Sequence, residues 1–358
     1  MEKKKKIGVI SIWDIDNYGN RLQNYAMNAA VKSLGYDSVN LKMWPQKKWK
    51  RIFQYVTNFD VSNARIAMEK KKGNQREVNF LTFEKNIKKD RRFLHSVENR
   101  GYINKTYDGF VVGSDQIWNP VFLEESYYFA AFADSNKNTV SYAASMGVSE
   151  LNENDKKKLK NGLTTLKNVS VREDAAADII EAMGEKRPKV VIDPTMLIDA
   201  KEWETLEKKP EYIKGDFVVL YYLGDLLKEC KEMIEKVCRE NNLQMVILGK
   251  PEYADYYTAG PAEFLYLIHH AKSMYTDSFH GCVFSILFHT PFYVFERENS
   301  VQKMNSRIDT LLKTFALEDR VYVGNGQEIK LDCDFTQADV NLKKKKEEGY
   351  AFLKESLS

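Results

Sequence analysis

Histidine and cysteine are scarce, with five His and four Cys in 358 residues. The cysteines, Cys230, Cys238, Cys282 and Cys333, form no CxxC pair and no zinc-like spacing to a histidine. That excludes a zinc ribbon, a dithiol redox centre and a disulfide framework, and a reducing, cytoplasmic setting is expected. No GxGxxG follows the first strand-like run and no GxxxxGKS/T occurs anywhere, which argues against a dinucleotide-binding or P-loop enzyme. Long apolar runs are missing too. The longest, Val283 to Phe295, contains His289 and Pro291 and falls short of the roughly 20 residues that span a bilayer. The opening MEKKKKIGVISIWD has a basic start, but its apolar run ends at Asp14 without a small-residue cleavage site. It reads as a lead into a strand rather than a signal peptide.

What is present suits a globular protein. Hydrophobic residues make up 43% and charged residues 29%, and the length exceeds one typical core, so two domains are expected. The formal charge of +3 is unevenly spread: residues 41–93 hold 15 Lys or Arg against 5 Asp or Glu, a local balance of +10. Within that block WPQKKWKRIFQYV interleaves Trp44, Trp49, Phe53 and Tyr55 with cations. Two readings stand for it. One is a surface helix on anionic lipid headgroups or on a lipid diphosphate, and the other is a solvated helix with a few buried aromatics. No nucleic-acid-binding motif accompanies the charge, so nucleic acid is not an expected partner.

The apolar patterning alternates strands with helices. KIGVISIW is a continuous apolar strand, NRLQNYAMNAAVKSLG a helix with Leu22, Tyr25, Ala26 and Ala29 on one face and Gly35 as its stop, and DSVNLK a second strand. That βαβ unit opens a parallel sheet, continued by GFVVG, TVSYAA, VSVRE and KVVID. The alternation restarts with FVVLYYL, QMVILG, SMYTD and FYVFE. The fold class is therefore α/β, with two Rossmann-like domains expected to face each other across a cleft at their strand C-termini. The expected boundaries are residues 1–212, with a basic helical insertion at about 44–93, then 213–335, then a terminal helix over 336–358 that packs back on the first domain.

Four strand-end segments carry the polar groups. Asn17, in DIDNYGNRLQ, precedes a helix whose free amides suit an anion or a sugar hydroxyl, although Asn and Gly are also ordinary cap residues. GSDQIWNP, Gly113 to Pro120, sets a hydroxyl (Ser114), a carboxylate (Asp115) and an amide (Gln116) at a strand end, a mixture that suits sugar hydroxyls. Trp118 offers either a stacking face or a packing residue. Arg172 ends VSVRE, where a guanidinium holds a carboxylate or phosphate, or else pairs with Glu173 or Asp174. In TDSFHGCVFSILFHTPFYVFER, Asp277 and Ser278 lead into a helix carrying His280 in its first turn, with an imidazole suited to proton transfer near neutrality. His95, His269, His270 and His289 follow no strand end and read as structural.

Taken in order, NYGNRLQNYA, YDGFVVGSDQIWNP, VSYAASMG, VSVREDAA, VVIDPTMLID and TDSFHGCVFSILFHTPFYVFER resemble the polysaccharide pyruvyl transferase family across most of the chain. The resemblance implies a glycosyltransferase-B-like fold. It also implies transfer of the enolpyruvyl unit of phosphoenolpyruvate to a sugar, usually as a cyclic pyruvate ketal, here expected to be 4,6-linked, in building bacterial surface polysaccharides. His280 then matches the family's proposed general acid or base, Asp115 its GSDQ aspartate and Arg172 its donor-binding arginine, with Asp277 and Ser278 beside the donor. Asn17, Arg21, Ser114, Gln116 and Trp118 fall on the acceptor side. Some members carry an arginine where this chain has Ser278, and Arg297 is the candidate replacement cation. Phosphoenolpyruvate is a co-substrate, and neither a metal nor another cofactor is expected. The implied acceptor is a sugar, with an undecaprenyl diphosphate-linked form in view, which would bring the protein to the anionic inner face of the plasma membrane. A nucleotide-sugar glycosyltransferase and a non-enzymatic sugar-binding protein are the rival readings.

Overall fold

A computed structural model of the chain describes residues 4–13, 17–43, 73–295, 306–324, 327 and 329–358. Among them, packing divides the protein into two units. Unit one holds the described residues up to Met43, Glu84–Ile198 and Lys344–Ser358; unit two holds 73–83 and Asp199–Lys343.

The core of unit one is a parallel sheet of β1 (Lys6–Ile10), β2 (Asp37–Met43), β3 (Lys89–Leu94), β4 (Gly109–Val112), β5 (Asn138–Ala144), β6 (Asn168–Val171) and β7 (Lys189–Val190). Their order is β3-β2-β1-β4-β5-β6-β7, and each neighbouring pair is parallel. Strands such as GFVV of β4 are buried along their whole length, as parallel strands covered on both faces must be. The chain builds outward from β1 to β3 and then returns to β4, so the order reverses between β1 and β4. At such a switch point the strand-end loops diverge and leave room for a ligand.

Helix α1 (Tyr18–Ser33) connects β1 to β2. Asn17 caps it, its side chain accepting from Asn20 N at 3.1 Å, and Gly35 follows its end at φ 94°. The helix is buried nearly all round. Tyr25 and Ala29, expected on its apolar face, are only half-buried, while the polar Asn20, Gln23, Asn24 and Asn28 are buried. Hydrogen bonds hold each of these four amides, for example Asn28 Oδ1 accepting from Ser38 Oγ at 2.7 Å and Asn24 Nδ2 donating to Ile12 O at 3.0 Å.

Unit two repeats the plan with β8 (Phe217–Tyr221), β9 (Gln244–Leu248), β10 (Ser273–Thr276) and β11 (Phe292–Val294), in the order β11-β10-β8-β9 and again parallel. Its switch point lies between β8 and β10. The elements around it are α2 (Gln75–Phe83), α4 (Ala200–Glu204), α6 (Pro261–His269) and α7 (Phe279–Leu287), while α3 (Asp174–Ala182) belongs to unit one and α5 (Lys228–Glu240) follows β8.

Packing places the division at Ile198, ahead of the expected 212, because Trp203 of α4 is fully buried edge-on against Phe284 of α7, ring centroids 5.1 Å apart. An aromatic pair of this kind adds about 0.5–1.5 kcal/mol beyond its buried area. Helix α2, expected within an insertion of the first domain, belongs to unit two. Arg76 lies over the rings of Phe80 and Tyr257 and donates to Tyr257 O and Ala259 O at 3.2 and 3.1 Å. Residues 84–93 of the expected helical insertion lie in unit one and lead into strand β3 instead of a helix, and residues 44–72 lie outside the described residues. The terminal helix α8 (Thr336–Leu357) is continuous; within unit one Tyr350 Oη donates to Leu197 O at 3.2 Å and Phe352 packs on Tyr142. Among the described residues no helix is long and apolar enough to cross a membrane.

Candidate functional site

The carboxyl ends of β1, β4, β5, β6 and β7 gather a buried polar cluster in unit one. Ser11 follows β1, Ser114 and Asp115 follow β4, Ser145 follows β5, Arg172 and Glu173 follow β6, and Asp193 lies just beyond β7. The turn into Ser114 needs glycine: Gly113 has φ 116°, and a Cβ there would lie 2.3 Å from Tyr142 O. Ser114 is thereby held against α1, where its N donates to Gln23 Oε1 at 3.2 Å and its carbonyl accepts from Ser11 Oγ at 3.1 Å. Asp115, at φ 64°, accepts from Asn20 Nδ2 at 2.8 Å.

Arg172 is the hub of the cluster. Its guanidinium meets Asp193 at 2.7 Å, Asp115 at 3.5 Å and Glu173 at 4.0 Å, and the residue is only 4% exposed. Burial works against its charge, but Asp193, Asp115 and Glu173 together outweigh that and hold its pKa above the ordinary arginine value. The carboxylates are themselves fixed. Asp193 takes Thr195 N and Thr195 Oγ1 at 3.0 and 2.7 Å, and Glu173 Oε1 takes Ser145 Oγ and Met146 N, both at 2.9 Å. Asp115 is thus aimed by an arginine on one side and an amide on the other, and it keeps a small exposure of 7%.

In unit two the corresponding edge carries Asp277, Ser278 and His280. Asp277 spans the switch point, its Oδ1 accepting from Leu223 N at 2.8 Å and its Oδ2 from Gly224 N at 2.9 Å, which ties the end of β10 to the loop after β8. Thr276 Oγ1 adds a bond to Tyr221 O at 2.6 Å and also accepts from Ser278 N at 3.0 Å. Ser278 is the N-cap of α7, accepting from Gly281 N at 3.4 Å. His280 therefore sits in the first turn of α7, 7% exposed, with its ring edge-on to Phe279. The helix dipole makes that end favourable to negative charge.

The sequence profile of the polysaccharide pyruvyl transferase family matches residues 17–299. The chain belongs to that family. Its segments that carry Asn20, Asp115, Arg172, Asp193 and His280 all fall inside the match. Among solved structures, UDP-GlcNAc 2-epimerase of Methanocaldococcus jannaschii, solved with UDP-GlcNAc and UDP, is similar at 13% identity and a TM-score of 0.50, covering 99% of this chain and 93% of that one. ADP-heptose LPS heptosyltransferase II of E. coli is similar at 10% identity and a TM-score of 0.41, covering 99% and 100%. At 13% identity the epimerase likeness bears on fold alone, and it agrees with two Rossmann-like units of the glycosyltransferase-B type. No curated protein sequence matches the chain.

As a polysaccharide pyruvyl transferase family member, the protein is a transferase, and the structure redistributes the roles of its strand-end residues. Asn17 is spent on capping α1. Trp118 is no sugar platform: it is fully buried, stacked on Phe129 at 5.6 Å, with Nε1 donating to Tyr128 O. Arg21 is likewise fully buried, over Trp13 and 3.9 Å from Glu84, so it offers an acceptor no surface. Ser114 has none either, its Oγ lying 2.9 Å from both Ala143 O and Asp193 Oδ2. Gln116 stays half-buried, in room left by Gly147, where a Cβ would come within 2.4 Å of its Nε2. Arg172 pairs inward with carboxylates, chiefly Asp193, instead of presenting an open anion site. Asp277 and Ser278 hold the backbone around His280, and Arg297 lies outside the described residues. Asn20 and Asp193 escaped the sequence reading. Asp193 had a signal, a carboxylate just past a strand in VVIDPT, and Asn20 had another, a polar residue among Gln23, Asn24 and Asn28 on a helix that must be buried.

Proposed function

We propose that this transferase moves the enolpyruvyl group of phosphoenolpyruvate to a sugar of a bacterial surface polysaccharide or its lipid-linked precursor, forming a pyruvate ketal, 4,6-linked, and releasing phosphate. The observation that carries the reading is the family match over residues 17–299, which includes a histidine and a carboxylate each at the carboxyl edge of a parallel sheet beside its switch point.

The chemistry assigned to these residues balances as follows. A proton added to the methylene carbon makes it a methyl group and leaves an oxocarbenium-like C2. One sugar hydroxyl adds there, the C–O bond to phosphate breaks, and a second hydroxyl closes the ring. The two hydroxyl protons end on the new methyl group and on phosphate. His280, at the positive end of α7, is the proton carrier, and Asp115 orients the attacking hydroxyl. Arg172 acts through Asp115, with Asn20 as the second support. Arg297 is assigned to the donor's negative charge from its place in the sequence. The reaction as written draws on no metal or other cofactor. A lipid diphosphate acceptor would bring the basic segment around Lys47 to Arg51 to the inner face of the plasma membrane, and salt-sensitive binding to anionic liposomes is the mark of that contact.

The test is phosphate release from phosphoenolpyruvate across a panel of galactosyl, mannosaminyl and glucosyl acceptors, free and lipid-linked. Positioned acid–base catalysis contributes about 10²–10⁴-fold, so His280→Ala should lower turnover by that order with donor binding retained. Acceptor-dependent release at near wild-type rate in that variant would remove His280 from the mechanism. Protection from unfolding by a nucleoside diphosphate, with none by phosphoenolpyruvate, would turn the reading toward glycosyl transfer.

A further inference from the structure

Three metal-ligating side chains outside the strand-end clusters converge in unit two. Glu207 follows α4, His269 is the last residue of α6 and His270 is its C-cap. Neighbouring residues on a helix diverge by about 100°, but His270 has left the helix at φ −102° and ψ 3°, and both imidazoles turn to one carboxylate. His269 Nδ1 lies 3.0 Å from Glu207 Oε2 and His270 Nε2 lies 3.1 Å from Glu207 Oε1, with one ligand atom from each residue inside a 4.8 Å span. The rings are held from both sides, His269 stacked on Phe288 at 4.6 Å and His270 against Tyr266 at 4.2 Å. Glu207 is placed by its neighbour, whose backbone Lys208 N donates to Ala262 O at 3.0 Å.

The spacing suits an ion. Ligands about 2.0–2.1 Å from a tetrahedral zinc stand about 3.3 Å from one another, close to the 3.0 and 3.1 Å at which each imidazole nitrogen meets its own oxygen of Glu207, so side-chain rotation within the 4.8 Å span brings the three groups onto one ion. Two imidazoles and a carboxylate select zinc or nickel over magnesium, which prefers oxygen ligands and keeps its waters. The location separates this cluster from the proton chemistry. Helix α6 leads into β10, so its carboxyl end lies at the edge where β10 starts, whereas His280 follows the end of the same strand. The four residues of β10 extend over about 13 Å.

We propose that Glu207, His269 and His270 form a divalent transition-metal site, zinc being the best fit with solvent at the fourth position, that clips the segment after α4 to the end of α6. Binding one ion to the folded chain alone raises its stability by mass action.

Calorimetric titration and thermal unfolding of the full chain, stripped with chelator and free of any histidine tag, test this with ZnCl2 against MgCl2. One zinc per chain and a raised midpoint, with no response to magnesium, are expected. Removing a ligand costs at least the roughly 10–100-fold lost when a residue hydrogen-bonded to a metal ligand is removed, so His269→Ala, His270→Ala and Glu207→Gln should each weaken zinc by that factor or more. Should a variant fail to fold, the wild-type pH profile decides: zinc displaces protons from its ligands, so its affinity must fall between pH 7.5 and pH 5. Absence of a zinc response in the wild type, equal zinc affinity in folded variants, or binding unchanged between pH 7.5 and pH 5 would overturn the proposal.

Discussion

Replacing Arg172 by Met would remove the cation that pairs with three buried carboxylates, Asp193, Asp115 and Glu173, while keeping most of the side-chain volume. At an effective dielectric of about 20, unit charges 2.7 Å apart attract by about 6 kcal/mol, and the partners at 3.5 and 4.0 Å add smaller amounts. Much of that is offset, because the wild type must also strip water from the guanidinium. Breaking buried pairs by deleting one partner costs about 3–5 kcal/mol net, and Arg172→Met should lose that much at pH 7. The pH dependence supplies a second, independent check. Without the arginine, burial and mutual repulsion favour the protonated form of Asp193 and Asp115 in the folded variant over the unfolded chain. The folded variant then binds more protons than the unfolded chain, so its deficit is full at high pH and shrinks as pH falls. Urea unfolding followed by tryptophan fluorescence, with wild type and variant side by side at pH 7 and pH 5.5, measures both. A deficit under about 1 kcal/mol at pH 7, or one that grows on acidification, would refute the account of Arg172 as the hub.

Two further outcomes follow from the same geometry. Asp277→Asn keeps one acceptor and turns an amide donor toward the other backbone N–H, so about 1–3 kcal/mol should be lost locally; hydrogen exchange at Leu223 or Gly224 should quicken while the β9 amides stay protected, and unchanged exchange would remove the latch. Desolvation pushes the Cys333 thiol up to about 11, against the nearby Arg320. Its labelling by a maleimide should therefore rise about tenfold per pH unit from pH 7 to pH 10, with buried Cys230, Cys238 and Cys282 silent until unfolding, and a plateau near pH 8.5 would contradict this.

The apolar runs made the buried strands of both parallel sheets readable, because a parallel strand covered on two faces leaves an uninterrupted Val/Ile/Leu signature such as FVVLY in β8, whereas the edge strand β3, KDRRFL, carries no such run and was read as part of a helical insertion. The strand-end positions of Asp115, Arg172 and His280 were readable for the same reason: once the strands are placed, the residues that follow them are placed too. Their partners were not. Arg172 was expected to pair with its sequence neighbours or with a ligand, yet its shortest contact is Asp193, 21 residues on, which only the β6–β7 pairing brings alongside. Trp118 shows the same limit, since nothing local says that the 3₁₀ turn Ser126–Phe129 will fold back to cover it. His269 and His270 read as structural because they follow no strand end, and their partner Glu207, 62 and 63 residues away, is invisible at helix spacing.

By itself, then, the sequence determined the alternation of strands and helices and the ordered motifs that place the chain in its family, while the order of the strands, and with it the switch point in each sheet, came from the fold. The alternation and the motifs depend on local periodicity and on short segments whose meaning does not change with distance. Only the tertiary structure decided which polar side chains are consumed by capping, burial and ion pairing and which keep a solvent-facing atom at the strand ends. That outcome turns on contacts between residues far apart in the chain, where a few tenths of an ångström and the loss of water separate a structural charge from a functional one.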